Sequence, residues 1–181
     1  MTFTLDHFTR NIPNFEYVKG ILGPQSTNLT YLELGSREGM SLLWCLDNLN
    51  IRKAICVDTW ANEKWERNFH SNLKQHEQHQ RVVVSKKDAT KFCIENNVPH
   101  TIDLVYIDAD HLATSVLVQA ALCFRMLKRG GVMIIDDYGW TGGKQNGGKL
   151  PPKVGVDCFM TTFIEEYDLL IKNWQVVIKK K

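Results

Sequence analysis

Six acidic side chains in this 181-residue sequence stand inside or just past short apolar runs: Glu33, Asp58, Asp88, Asp108 and the pair Asp136-Asp137. Singly, such an acid caps the next helix or makes an Asx turn. Gathered on one rim the acids repel one another, so the space between them must hold cations or hydrogen-bond donors. The first run leads into Glu33-Leu34-Gly35-Ser36-Arg37-Glu38-Gly39. There Gly35 and Gly39 permit a tight turn and a close backbone approach to a ligand at the start of a helix. The spacing is not Gly-x-Gly-x-x-Gly, and no Lys-Ser or Lys-Thr follows as a P-loop requires. A pyrophosphate would have to approach Glu33 and Glu38, so the loop suits a ligand with ammonium and sulfonium groups. Asp58 follows about 20 residues later, the distance at which an acid accepts both ribose hydroxyls of a nucleoside.

These residues need a scaffold that delivers successive strand ends to one edge, and the sequence alternates short apolar strands with longer helical patterns. Strands are predicted over Thr30 to Leu34, Lys53 to Val57, Arg81 to Ser85, Ile102 to Ile107 and Gly131 to Ile135. Helices are predicted near Met40 to Asn48, Glu63 to Gln78, Ala89 to Asn96 and His111 to Leu127. Unbroken apolar runs such as Leu104 to Ile107 and Val132 to Ile135 fit a parallel sheet covered on both faces. The expected fold class is α/β, a doubly wound, mostly parallel sheet whose ligands bind outside the carboxyl ends of the strands. Tyr138 to Lys153, with five glycines, two prolines and three lysines, reads as a long loop at that edge. A last helix near Val156 to Tyr167 and one or two strands ending near Val176 to Ile178, antiparallel at the edge, complete the sheet. The length fits one domain over residues 1–181, with 1–28 as a short N-terminal segment.

Glu33-x-Gly35-x-x-x-Gly39, Val57-Asp58-Thr59-Trp60, Lys87-Asp88-Ala89 and the run Asp103 to Asp108, followed by Lys128-Arg129-Gly130-Gly131, occur in this order. Together they resemble the successive motifs of class I S-adenosylmethionine-dependent methyltransferases, from about Asn28 to Tyr167. The resemblance implies a seven-stranded Rossmann-like sheet and S-adenosylmethionine as cofactor. It implies that Glu33, Gly35 and Ser36 line the methionine end, that Asp58 holds the ribose and that Asp88 lies by the adenine. Gly39, Thr59, Ala89 and Asp108 would also border the cofactor, and Trp60 would stack nearby. Asp108-Ala109-Asp110-His111 with Asp136-Asp137 resembles the narrower cation-dependent O-methyltransferase branch, with its catechol, caffeoyl-CoA, cephamycin and macrocin-type members. In that branch Asp108, Asp136 and Asp137 would hold Mg²⁺, which prefers hard oxygen donors. His111 would be the general base, its ordinary pKa near 6.5 suiting neutral pH, and Asp110 is the competing candidate.

The formal net charge of +2 argues against nucleic acid or membrane as a partner, and Lys179-Lys180-Lys181 reads as a solvated end. Five widely spaced cysteines with no Cys-x-x-Cys pair suggest reduced thiols in a cytoplasmic protein, and no signal peptide or membrane span is visible. His76 and His79, with His70 nearby, lack the spacing of a zinc-protease motif and read as a polar helix face. Tyr138, Trp140 and the glycines from Gly142 to Gly148 would form a lid or an acceptor wall, with Lys144 or Lys149 meeting an anionic acceptor. The expected partner is a small-molecule acceptor, a sugar or catechol-like ring. A homodimer is expected if a second subunit must cover a pocket that the short N-terminal segment leaves open. The alternatives are a metal-dependent nucleotide-sugar glycosyltransferase, for which Asp108-Ala109-Asp110 would bind metal-diphosphate, or a non-catalytic cofactor-binding module. Methylation at nitrogen or on RNA fits the metal set and weak charge less well.

Overall fold

The computed structural model describes residues 1–23, 27–141 and 148–181. After a 3-10 turn at Thr9–Asn11 come α1 (Ile12–Leu22), β1 (Leu29–Leu34), α2 (Met40–Asn48), β2 (Ile51–Asp58) and α3 (Glu63–Lys74). There follow β3 (Val82–Lys86), α4 (Ala89–Glu95), β4 (Ile102–Ile107), α5 (Ala113–Met126) and β5 (Leu127–Ile135). The chain finishes with α6 (Pro152–Thr162), β6 (Tyr167–Lys172) and β7 (Val176–Lys180).

Alternate side chains of a strand face opposite ways. Leu32, Leu34, Val105, Ile107, Met133 and Ile135 enter a core layer with Phe92 of α4, Phe124 of α5 and Phe159 of α6. Tyr31, Leu104, Tyr106, Val132 and Ile134 enter the opposite layer with Phe15 of α1, Leu42 of α2 and Phe69 of α3. Both faces are thus apolar, which is why the strands read as unbroken hydrophobic runs. Each fully buried Leu, Ile or Phe contributes about 1.5–3 kcal/mol.

The seven strands lie in the order β3-β2-β1-β4-β5-β7-β6. β1 to β5 pair in parallel, and β7 runs antiparallel to both β5 and β6. Register aligns Leu34 with Val57 and Ile107, Ile107 with Ile135, and Ile135 with Val176. The carboxyl ends of β1, β2, β4 and β5 therefore share one edge with the start of β7. Chain order reverses between β1 and β4, where such sheets open a ligand crevice.

Several boundaries differ from the sequence reading. α1 lies in the short N-terminal segment, for which no element was predicted. α3 stops at Lys74 because the buried His76 ring takes Asp47 Oδ1 at 3.0 Å and the Gln78 N–H at 3.1 Å, closing a turn. α5 starts at Ala113 because Asp110 Oδ1 accepts the Leu112 N–H at 3.0 Å. α6 begins at Pro152, whose ring fits the first helical turn, and ends at Thr162 rather than Tyr167. Gly155 lets α6 touch α5, since a Cβ there would lie 2.1 Å from the Ala113 carbonyl oxygen. All five cysteines are free, four of them buried. Among the described residues, no helix is long and apolar enough to cross a membrane.

Candidate active site

A cleft of about 810 Å³ opens off the carboxyl edge of the sheet. Its first half is built by the turn after β1. Gly35, at φ 92°, crosses the end of β4 so closely that a Cβ would stand 1.9 Å from the Asp108 carbonyl oxygen. The sheet ladder continues through this crossing, with Gly35 N–H donating to Val57 O and Asp108 N–H to Leu34 O, each at 2.8 Å. Asp58 accepts the Arg37 N–H at 2.8 Å and the Trp60 N–H at 2.7 Å, so the β1 and β2 exits wrap one carboxylate. Arg37 and Trp60 hold positive φ, 46° and 42°, to make this wrap. The Arg37 guanidinium stacks over Trp65 at 4.2 Å. Thr59, Lys87, Asp88 and Ala89 continue the wall, and Asp88 also caps α4 by accepting the Lys91 N–H at 2.9 Å.

Three sequence expectations for this half are corrected. Glu33 does not open onto the cleft, because strand alternation turns it with Tyr31 into the core layer beneath α2. There it accepts hydrogen bonds from Tyr31 Oη at 3.1 Å and from the Ser41 hydroxyl, and burial raises its pKa. The Trp60 indole is buried against Phe69 and donates Nε1–H to Arg37 O at 2.7 Å; Trp65 is the tryptophan that lines this half of the cleft. Gly39 caps α2 at φ 86° behind the loop rather than in the cleft wall.

The second half is acidic. Asp108, His111 and Asp137 present ligand atoms within 4.8 Å of one another. His111 Nε2 contacts Asp137 Oδ2, and its ring lies 4.8 Å from that of Trp140. That hydrogen bond raises the His111 pKa against the opposing effect of burial. Burial pulls Asp137 the other way, but His111, Trp174 and Arg10 outweigh it and hold its carboxyl below the ordinary range. Asp108 is pushed well above that range by burial and by the charges of Asp136 and Asp137. Asp136 stands one step behind. Its Oδ2 accepts Asn11 Nδ2–H at 2.7 Å and the Tyr106 hydroxyl, and its Oδ1 accepts the Asp137 N–H at 2.7 Å. The expected trio of Asp108, Asp136 and Asp137 is brought to one edge, but the third member of the cation-sized cluster is His111. Asp110 lines the cleft while one of its oxygens is engaged in the turn before α5.

The remaining wall comes from residues that no local pattern marked. His7 and Arg10 from the N-terminal segment and Trp174 from the β6–β7 turn line the cleft. The segment is tied down at Glu38, whose Oε2 accepts the Thr4 N–H at 2.9 Å and the Thr4 hydroxyl at 2.6 Å, while Oε1 accepts Asn68 Nδ2–H at 2.7 Å. Asn72 Oδ1 accepts the Thr2 N–H at 2.7 Å. The N-terminal segment thus supplies part of the cleft wall through His7 and Arg10. Of the loop expected to act as a lid, Tyr138 packs in the core and Trp140 lines the cleft. Lys144 and residues 142–147 lie outside the described residues.

A doubly wound sheet with a ligand cleft at its switch point and a glycine turn over the fourth strand is the methyltransferase fold. It is shared with the O-methyltransferase of Bacillus cereus in complex with SAH, at 19% identity and TM-score 0.70, over 93% of this chain and 81% of that one. It is shared also with cofactor-bound Rv0187 from MTB, at 18% identity and TM-score 0.71, over 98% and 84% of the two chains. Residues 32–138 match the family model for a methyltransferase domain, and the chain belongs to that family. Uncharacterized protein R132 of Acanthamoeba polyphaga mimivirus is 30% identical over 118 residues, 63% of this chain and 53% of that protein. The chain thus spans about half the length of that relative. Membership in a methyltransferase family displaces the glycosyltransferase alternative.

Proposed function

We propose that this protein is an S-adenosylmethionine-dependent O-methyltransferase, assisted by a divalent cation, acting on a hydroxyl of a small molecule with neighbouring oxygens. The observation that carries the reading is the placement of the Asp108–His111–Asp137 cluster directly beside the Gly35 crossing and the wrapped Asp58 carboxylate.

The residues present fit both groups. Arg37 Nε is buried on the cleft-side turn without a protein partner, as a donor awaiting a polar ligand is. Asp58 keeps lone pairs for two ribose hydroxyls after accepting its two backbone N–H groups. A cation held by Asp108 and Asp137, with Asp136 behind them, would relieve the crowding that raises the Asp108 pKa. When bound, the sulfonium supplies the methyl group and the divalent ion lowers the pKa of an acceptor hydroxyl.

The chain's own residues do the rest. Gly35 and Asp58 fix the cofactor end, and His7 and Arg10 add to the wall of the cleft. Asp137 holds His111 Nε2, leaving Nδ1 to take the acceptor proton. We assign the base to His111 rather than Asp110 because Asp110 Oδ1 is engaged by the Leu112 N–H. The B. cereus structure, described as an O-methyltransferase in complex with SAH, supports transfer to oxygen.

Calorimetric titration with S-adenosylhomocysteine, followed by an acceptor screen with and without Mg²⁺, tests the reading. Asp58→Ala should weaken that binding at least about tenfold, and His111→Ala should keep it while losing about 100-fold or more in turnover. Parent-like cofactor affinity in Asp58→Ala, or parent-like turnover in His111→Ala, would refute the respective assignment.

A further inference from the structure

We infer that Asn11 and Tyr106 are positioning residues for the cation cluster, acting through Asp136 to hold Asp108 and Asp137 in the geometry that accepts a divalent ion. The inference rests on the proposed cation-assisted reading and adds to it the residues that shape the site from behind.

Asp136 is buried and stays outside the group of ligand atoms that Asp108, His111 and Asp137 bring together. Both of its oxygens are engaged. Oδ2 accepts Asn11 Nδ2–H at 2.7 Å and the Tyr106 hydroxyl, while Oδ1 accepts the Asp137 N–H at 2.7 Å. Asp137 holds φ 55°, a left-handed backbone that few side chains adopt without support, and that last bond supports it. Two donors therefore fix one oxygen of Asp136, the other oxygen fixes the Asp137 backbone, and from that backbone the Asp137 carboxylate meets His111.

Tyr106 also acts on Asp108. Its Oη lies 3.2 Å from Asp108 Oδ2, but a hydroxyl has one proton and the nearer acceptor is Asp136. Asp108 thus keeps its lone pairs for a cation. Asn11 Nδ2 stands 3.3 Å from Tyr106 Oη, so its amide meets the junction of both residues. Nothing in its own helix accounts for this amide. Asn11 is 3% exposed at the entry of α1, and its side chain caps nothing there. Its donors go instead to residues 95 and 125 positions along the chain.

The test titrates Mn²⁺ alone into the full chain, since Mn²⁺ takes hard oxygen donors and its free form is read by electron paramagnetic resonance. S-adenosylhomocysteine affinity is read by calorimetry and folding by urea unfolding. Loss of a group that orients metal ligands ordinarily weakens metal binding about 10–100-fold. Asn11→Ala and Tyr106→Phe should each weaken Mn²⁺ binding by about tenfold or more, with S-adenosylhomocysteine affinity within about twofold of the parent's. Tyr106→Phe keeps the ring that packs edge-on against Phe15 at 5.1 Å, so it removes the hydroxyl without emptying the core and decides the matter should Asn11→Ala fail to fold. Parent-like Mn²⁺ affinity in Tyr106→Phe, or in folded Asn11→Ala, overturns the inference. So does an equal loss of Mn²⁺ and S-adenosylhomocysteine affinity, which would mark a general loosening of the cleft. A parent that binds S-adenosylhomocysteine but no Mn²⁺ overturns the inference together with the cation assistance. A parent that binds no S-adenosylhomocysteine removes the proposed function itself and leaves the Mn²⁺ comparison to decide on Asn11 and Tyr106.

Discussion

Substituting Gly35 by Ala tests whether the exits of β1 and β4 jointly define the site. The added methyl meets two obstacles. At φ 92° an L side chain costs about 1–3 kcal/mol in backbone strain. The new Cβ would also lie 1.9 Å from Asp108 O and 2.8 Å from Ala109 Cα, where ordinary contact begins at 3.4 Å, so that backbone must retreat by about 1.5 Å. The retreat pulls against the 2.8 Å hydrogen bond from Asp108 N–H to Leu34 O, worth about 0.5–1.5 kcal/mol. The expected loss of stability is about 2–4 kcal/mol, within the 5–15 kcal/mol of a typical domain, so the variant should still fold. Asp108 moves with its backbone, and a shift of about 1 Å at a reacting centre can cost about 100-fold in rate. Urea unfolding should show a lower midpoint with an unchanged slope, and calorimetry should show S-adenosylhomocysteine affinity down at least about tenfold. A variant with the parent's midpoint and the parent's affinity would refute the crossing and the site built on it.

Glu38→Gln removes the charge that accepts from Thr4 and Asn68 and should cost about 1 kcal/mol at neutral pH. Burial raises the Glu38 pKa, but those hydrogen bonds outweigh it and hold the carboxyl below its ordinary value. A depressed carboxylate stabilises the fold above its unfolded pKa, and that contribution is lost as pH falls through the folded one. The gap between parent and variant, read from urea midpoints, should therefore close below about pH 4, and a gap independent of pH contradicts the assignment. Phe159→Ala empties a site enclosed by Phe124 at 5.5 Å and Phe163 at 5.0 Å and should cost about 3–5 kcal/mol, whereas a loss under about 1 kcal/mol would mean that α6 is not packed as described.

The strands and their terminal acids were legible because parallel strands buried on both faces leave an apolar run with an abrupt polar end. Ile102–Ile107 with Asp108 is the plainest case. Boundaries set by a side chain binding the backbone, such as His76 and Asp110, were not, because that choice is made by tertiary contacts. α1 was missed since it buries only Phe15 and Val18 and carries Gly20 inside. Its signal was the Pro13 start and Gly23 stop. The direction of Glu33 was readable in principle, because period-two alternation places it with Tyr31 rather than Leu34. Trp65 was overshadowed by Trp60, which stands next to the motif acid but is turned inward. His7, Arg10 and Trp174 carry no local pattern, since they meet the cleft only through long-range packing.

The reversal of β7 has a consequence for how such an enzyme can change. Had this strand run parallel to β5, its leading turn would have emerged at the far edge, away from the cleft. Antiparallel, it delivers Asn173, Trp174 and Gln175 to the rim, against the N-terminal segment, where Arg10 stacks on Trp174 and Asn14 Nδ2–H donates to Gln175 Oε1 at 2.8 Å. On the proposed reading, the groove for the methyl acceptor would be walled in part by the N-terminal segment and the β6–β7 turn, while the consecutive β–α units would hold the donor. Changing the hairpin tip would then redirect what is modified without disturbing what supplies the modification.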